Sequence, residues 1–328
     1  VLPMEDINLH FTGDLHAVSM AHNLLSAMLD NHLNKGNVLN IDTDSVFWPR
    51  VMDMNDRSLR SITIGQGAKV NGPIRKERFD ITAASEVMAI LALSKDYRDL
   101  RERLGRVVVA SDMDGAPVTA DQLNAGGAMA LLLRDAFLPN LVQTLEGDPA
   151  FIHCGPFANI AHGNSSVVAD SIALSTCDYV VTEAGFGADM GAEKALQIKS
   201  DSSGVIPDCI VLNVTVRSMK LHGGAFGDKG SRRPTSEELA TENVEATLIG
   251  ASTNMARHLA NLTRTGIPVV VSINRFSTDT DRELSSIKDI ALANGAREVV
   301  LFEGHAKGGE GAVELARSVL ESVEGHVS

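Results

Sequence analysis

The sequence predicts an α/β protein: a mostly parallel sheet with helices on both faces, followed by the start of a second α/β domain. Three observations carry this expectation. From Val107 onward, short apolar runs alternate with helical stretches. The runs are continuous rather than alternating, the pattern of strands covered on both faces. Composition agrees, because 44% of the residues are apolar and only 4% aromatic, which suits helices packed on a sheet better than an aromatic-rich sandwich.

Taken in order, residues 1–14 open without an initiating Met and read as the interior of a domain, so a fragment is expected. Thr12 or Asp14 then caps a helix over 15–34, with Val18, Ala21, Leu25, Met28 and Leu29 on one face and Gly36 at its left-handed stop. Residues 37–80, polar and rich in Asp, Arg and Gly, read as a long excursion or interface arm. A second helix begins at Phe79–Thr82, breaks before Lys95 and resumes toward Arg103. Strands are expected at 106–111, 150–154, 179–184, 209–217, 268–274 and 298–303. Helices are expected at 120–138, 165–176, 190–199, 240–264, 281–294 and 311–323, with a capping box at Thr119 and Gln122. Gly223–Pro234 is a flexible surface loop by composition. A boundary near Leu262 to Pro268 divides a large domain, 1–262, from the start of a second, 263–328.

The balance of 29 Lys and Arg against 42 Asp and Glu, net −13, excludes general affinity for nucleic acid or acidic membranes. Cys154, Cys177 and Cys209 are widely spaced among apolar residues and read as reduced thiols. With no signal peptide and no apolar run of membrane-spanning length, a soluble cytoplasmic protein is expected.

In open parallel sheets ligands bind at the carboxyl ends of strands, which directs attention to Asp112, His153, Glu183, Arg217 and Asn274. Val180–Gly191 reads as a buried strand entering a glycine turn, with Phe186 between Gly185 and Gly187 and carboxylates at Glu183 and Asp189. Its glycine spacing is not the dinucleotide fingerprint, and G-x-x-x-x-G-K-[ST] is absent from the whole chain. Val107–Gly115 resembles the first motif of haloacid-dehalogenase-type phosphotransferases, with Asp112 as nucleophile and Asp114 as acid/base, but no downstream magnesium-holding acidic pair follows. An acidic turn leaving a strand is the favoured reading there.

His10 and His16 flank Asp14 at a helix start, where imidazoles and free backbone N–H groups suit an anion. Phe151–Ser166 carries two His, two Gly, an Asn and two Ser into a helix, again a set of donors for an anionic ligand, and without the spacing of a zinc site. Val269–Asp279, with Asn274 and Asp279 after a buried strand, is loosely similar to base-recognition loops of nucleotide switches, with Phe276 placed to stack a ring. Glu303–Gly311 is a further glycine-rich turn.

Together, Pro3–Asp14, Phe79–Ile90, Gln143–Gly147, Gly155–Gly163, Val180–Gly191 and Ala306–Gly311 resemble formate–tetrahydrofolate ligases, in family order and across nearly the whole chain. The resemblance implies a P-loop-type fold and a reaction in which ATP phosphorylates formate and a tetrahydrofolate nitrogen attacks the formyl phosphate. It also implies magnesium, a monovalent cation (K+ or NH4+) and a homotetramer. Phe186 and Phe276 match positions that sandwich the pterin, and Leu301 matches an apolar wall of that pocket. Glu183 is a polar neighbour of the folate, and His305 stands where a Trp is expected. His10, His16, Asp14 and His153 match the catalytic vicinity, and Asn274, Lys307, Gly308 and Gly309 the nucleotide and phosphate vicinity. Metal ligands stay unassigned. The family's phosphate loop and an active-site Arg precede the segment matching Val1, so this polypeptide alone is expected to have little or no ligase activity. A non-catalytic folate- or purine-binding protein is the alternative.

Overall fold

The computed structural model describes residues 4–5, 13–158, 160–227 and 234–325. Two compact units emerge, Val1–Gly204 and Val205–Ser328. The class is α/β, but among the described residues the strands fall into five small sheets rather than one. Among the described residues no helix is long and apolar enough to cross a membrane.

In the first unit the Asp14–Asn34 helix buries Val18, Ala21, Leu25 and Leu29, the expected stripe, and Gly36 takes φ 113° just past its end. That stripe packs in one core with Val87, Met88 and Leu91 of the Glu86–Leu93 helix and Leu100 and Leu104 of the Tyr97–Gly105 helix. Ser85 and Asp96 cap these two helices through the N–H groups of Val87 and Asp99, so the break before Lys95 is real.

The stretch expected to be an irregular arm carries strands β1 (Ile41–Val46), β2 (Arg50–Met52), β3 (Ile62–Ile64), β4 (Arg75–Glu77) and, at its end, β5 (Phe79–Ile81). A ring of charges organises it: Arg50 and Arg75 each bridge Asp30 and Glu77. The polar residues that read as loop are therefore consumed by one another.

β6 (Val108–Asp112) lies between β1 and β7 (Pro117–Thr119), antiparallel to both, not in a parallel sheet. The reason is local. Asp112 Oδ1 accepts the N–H groups of Asp114 and Ala116, turning the chain back as a hairpin. β8 (Asn140–Gln143) and β9 (Pro149–Ile152) form a second hairpin. Thr119 and Gln122 do exchange their capping bonds, but Asn124 at φ 58° interrupts, and the helix runs only from Gly126 to Leu132. No strand forms at 179–184: the segment has no ladder partner and leaves Val181 94% exposed. The Gly191–Lys194 helix passes through a π turn, Ala195–Lys199, into Ser200–Ser203.

The second unit holds the parallel arrangement the sequence led us to expect, on a small scale. β11 (Val269–Asn274) is central, flanked in register by β10 (Ile210–Val214) and β12 (Glu298–Phe302). The Val216–His222 and Val244–Gly250 helices cross at near backbone contact, because a Cβ at Gly223 would lie 1.8 Å from the Ala246 carbonyl oxygen and one at Gly250 2.0 Å from that of Met219. Beneath them Lys220 and Glu283 form an ion pair at 2.8 Å, both side chains 0% exposed. Lys220 also donates to the Thr241 carbonyl, while Glu283 accepts from the Asn243 and Thr280 amides, so one pair ties three chain segments.

Breaking a buried pair strands the survivor, typically at about 3–5 kcal/mol. Lys220→Met is therefore expected to destabilise the second unit by about that much in urea unfolding, and replacing both partners with apolar residues to cost less. Burial alone would raise the Glu283 pKa, but the Asn243 amide and Lys220 ammonium outweigh it and hold the carboxyl below its usual value. A depressed carboxylate contributes stability above its unfolded pKa, so this contribution is lost as pH falls below about 4.

Candidate functional site

The chain leaving β9 is set by His153. Its buried imidazole donates from Nε2 to the Ala136 carbonyl at 2.7 Å, which makes Nδ1 the acceptor from Ser166 Oγ at 2.6 Å. Ser166 Oγ in turn accepts the Ala169 amide and caps the Val167–Thr176 helix. Burial lowers the His153 pKa against the smaller pull of the Ala136 carbonyl and Asp14, so the ring is neutral. Both nitrogens are occupied, and His153 acts here as a positioning group.

Next in sequence, Cys154 adopts φ 60°, and its N–H donates to Asp14 Oδ2 at 2.6 Å. Asp14 is buried, with Oδ1 unpartnered. Burial, then Asp14, push the Cys154 thiol well up. Asp14, His153 and Cys154 place one potential ligand atom each within 4.8 Å of one another. The donor set does not fit magnesium, which selects oxygen ligands, and His153 has no lone pair free while its two bonds stand. His16 is exposed on the Asp14–Asn34 helix, and His10 lies outside the described residues.

The 183–191 turn is clamped onto the 158–164 loop through glycine. Gly185 N–H donates to the Gly163 carbonyl at 3.1 Å, and Asn164 Nδ2 donates to the Glu183 carbonyl at 2.6 Å. Gly163 has φ 68°, and a Cβ there would meet Ala158 Cβ at 2.3 Å; one on Gly191 would meet the Gly185 oxygen at 2.1 Å. The clamp holds Phe186 at φ 66°, with the residue 71% exposed. Three Asn, Cys154 and Phe186 are the non-glycine residues with positive φ among the described residues. Asn tolerates that region; Cys and Phe are strained there. The side chains of Glu183 and Asp189 are exposed beside the turn.

In the second unit the carboxyl ends of β10, β11 and β12 carry the remaining candidates. The Arg217 guanidinium lies 3.8 Å from the Phe276 ring centroid, covering one face. Asp279 Oδ2 accepts the Phe276 amide at 2.8 Å, while Oδ1 is buried without a partner. Burial raises the Asp279 pKa, with the Phe276 amide opposing. Asn274 ends β11, and Leu301, opposite Ile273 on β12, is 41% exposed. His305 and Lys307 stand exposed on the Gly304–Lys307 helix, and Lys307 pairs with Glu303 at 2.6 Å, close to Arg275. Gly308 takes φ 60°, and Gly309 follows in the 3-10 turn Gly308–Ala312.

The packing of Arg217 on Phe276 is not legible in the sequence, where Arg217 reads only as a strand-end residue; His162, one of the two histidines of the 151–166 donor stretch, is buried. In the other direction, Asp112 spends its carboxylate on the β6–β7 turn, in an antiparallel sheet, so the phosphotransferase geometry is not formed.

The profile of the family described as formate–tetrahydrofolate ligase matches residues 1–328. The formate–tetrahydrofolate ligase of Desulforamulus reducens is 53% identical over 324 residues, 99% of this chain and 57% of that protein. That of Roseiflexus castenholzii is also 53% identical over 99% of this chain and 57% of its own length. Formate–tetrahydrofolate ligase 2 of Rubrobacter xylanophilus is 54% identical, over 99% and 56%. The chain thus spans somewhat more than half the length of these curated relatives.

Two outcomes are expected. Phe186→Gly relieves the left-handed strain while removing little buried surface, and should raise stability by about 1 kcal/mol in chemical denaturation. His22 and His162 are held at about 4, chiefly by burial, and His153 is lowered too. Their folded pKa values lie below the unfolded value, so the stability they contribute is complete above about pH 6.5 and falls as pH drops toward 4. Urea midpoints of the first unit should decline over that window.

Proposed function

The chain belongs to the formate–tetrahydrofolate ligase family, and from that premise we propose that it supplies the folate-facing part of an ATP-dependent ligase making 10-formyltetrahydrofolate. A formate oxygen attacks the γ-phosphorus of ATP and ADP departs. A tetrahydrofolate nitrogen then attacks the formyl carbon of formyl phosphate, phosphate leaves with the C–O bonding pair, and the nitrogen gives up its proton. On this reading residues 1–262 belong to the nucleotide and formate domain and 263–328 open the folate domain of a cytoplasmic homotetramer activated by K+ or NH4+. Magnesium accompanies ATP. Since the buried Asp14, His153 and Cys154 do not suit it, none of its chemistry is assigned to them.

The observation that carries the reading is Phe186. A large apolar ring in a strained backbone conformation, pinned by Gly163 and Gly185 and left exposed, costs stability and gains nothing in the core. Such a ring suits face-on packing with a flat heterocycle. Phe276 offers a half-buried ring with Arg217 over one face. Leu301 supplies apolar surface, while His305 supplies a smaller and more polar ring than the Trp expected there. His153 and Asp14 fix the loop after β9, and Asn274, Lys307, Gly308 and Gly309 serve the nucleotide side.

Calorimetry on the 328-residue polypeptide tests this. Tetrahydrofolate is expected to bind, and Phe186→Ala to weaken it about tenfold through lost stacking and burial. Equal affinity in the variant would sink the assignment. Product formation from ATP, formate and tetrahydrofolate by the same polypeptide is expected to be undetectable. The 328 residues contain no phosphate loop, and groups stabilising a transferring phosphoryl are worth roughly 10³–10⁵ in rate.

A further inference from the structure

Beneath the 158–164 loop lies a polar cluster that the folate reading does not use. His162 is 1% exposed; the Asn164 backbone lies beside the ring and raises its pKa slightly, but neither ring nitrogen meets a partner in good hydrogen-bond geometry. Asn164 is buried with Oδ1 unpartnered; its Nδ2 is committed to the Glu183 carbonyl, which fixes the amide orientation. Two lysines of the neighbouring helical segment, Lys199 and then Lys194, act electrostatically on the imidazole, each lowering its pKa. Lys194, half-buried, reaches the Ala158 carbonyl, and Lys199, buried, pairs with Asp170 Oδ2 at 2.5 Å. They stand five residues apart, and the π turn Ala195–Lys199 closes its hydrogen bonds over five residues, which stacks the second near the first. In an α-helix the same pair would point well apart.

Buried donors and acceptors left unpaired cost free energy unless a ligand completes them. Here the open groups are an imidazole, two ammonium groups already half-engaged, and one amide oxygen. The ammoniums and imidazole call for an oxyanion. The amide oxygen calls for a proton on that anion, since a fully deprotonated one would be repelled. We propose that His162, Asn164, Lys194 and Lys199 form a binding site for a protonated phosphate, either hydrogen phosphate or the monoanion of a phosphomonoester. One imidazole N–H and the lysines donate to its oxygens, and its P–OH donates to Asn164 Oδ1. Asp170 holds Lys199 in place and keeps the empty cluster from carrying excess positive charge. Burial, with Lys199 and Lys194, keeps His162 neutral and its pKa near 4, and a bound anion reverses the sign of the local field. The proposal does not rest on the ligase reading, because it uses neither Phe186 nor the strand ends of the second unit.

The test is ¹⁵N–¹H spectroscopy of the histidine rings in the whole 328-residue chain near pH 6, with His162 identified by its absence in His162→Gln. Inorganic phosphate, methyl phosphate, sulfate and sodium chloride at matched ionic strength are the probes. A saturable millimolar shift of the His162 ring with phosphate, about tenfold weaker or absent with sulfate, is expected, because sulfate has no proton for Asn164. Lys194→Met, at a half-exposed position, should weaken binding roughly tenfold or more while leaving the fold intact. Equal response to methyl phosphate assigns a phosphomonoester, and response to phosphate alone assigns the free ion; both support the site. A ring that does not move with either phosphate, or moves identically with sulfate and chloride, overturns it.

Discussion

A buried, neutral histidine bonded to a backbone carbonyl on one side and a helix-capping serine on the other is the interaction on which the first unit turns. It occurs twice. His22 donates to the Pro49 carbonyl and accepts from Ser85, which caps the Glu86–Leu93 helix; His153 does the same with Ala136 and Ser166. In each case one ring joins segments distant in sequence and orients the serine so that its other lone pair meets a helix amide. Burial keeps each ring neutral, so that Nδ1 accepts the serine hydroxyl's proton while a serine lone pair meets the helix amide. For His22 it lowers the pKa to about 4, and the ring stacks on Trp48 with 4.1 Å between centroids. Helix starts, strand β2 and the loop after β9 all inherit their positions from these two rings.

What the rings position, glycines bring close. The 158–164 loop and the 183–191 turn meet backbone to backbone, where a Cβ on Gly185 would come within 3.1 Å of the Gly163 oxygen, and Phe186 beside that contact takes a left-handed backbone. Cys154 shows the same trade on the other side, its left-handed backbone answered by the Asp14 carboxylate. The second unit avoids such strain. Its candidate groups stand at the ends of three parallel strands, where geometry alone converges them.

Much of this was readable in the sequence because it depends on local pattern. The 14–34 helix, the stop at Gly36, the break before Lys95 and the strands at 210–214, 269–274 and 298–302 follow from periodicity and capping chemistry. What was not readable depends on partners far along the chain. Val180–Thr182 carries a strand's composition but finds no neighbour to pair with. The arm at 37–80 looks irregular until Arg50, Arg75, Asp30 and Glu77 are seen to close on each other. Asp112 was visible as a carboxylate after a strand, but its use as a turn acceptor required knowing which way the chain turned. Gly185 and Gly187 stand out in the sequence as turn glycines; that Gly185 meets the Gly163 backbone, and that Gly191 packs on the Gly185 carbonyl, are tertiary facts.

The π turn at Ala195–Lys199 has a consequence of another kind. An α-helix advances about 100° per residue, and a π turn amounts to one residue more than the regular count. The facing of everything from Lys199 onward is therefore set by arithmetic along the backbone rather than by which side chains fill the turn. Such a segment should drift freely in composition while its length stays frozen. Losing one residue there would mend the helix into a regular one and turn Lys199 away from Lys194. The same bookkeeping governs Ala251–Met255, where a second π turn stands between the Val244–Gly250 and Ala256–Thr263 helices.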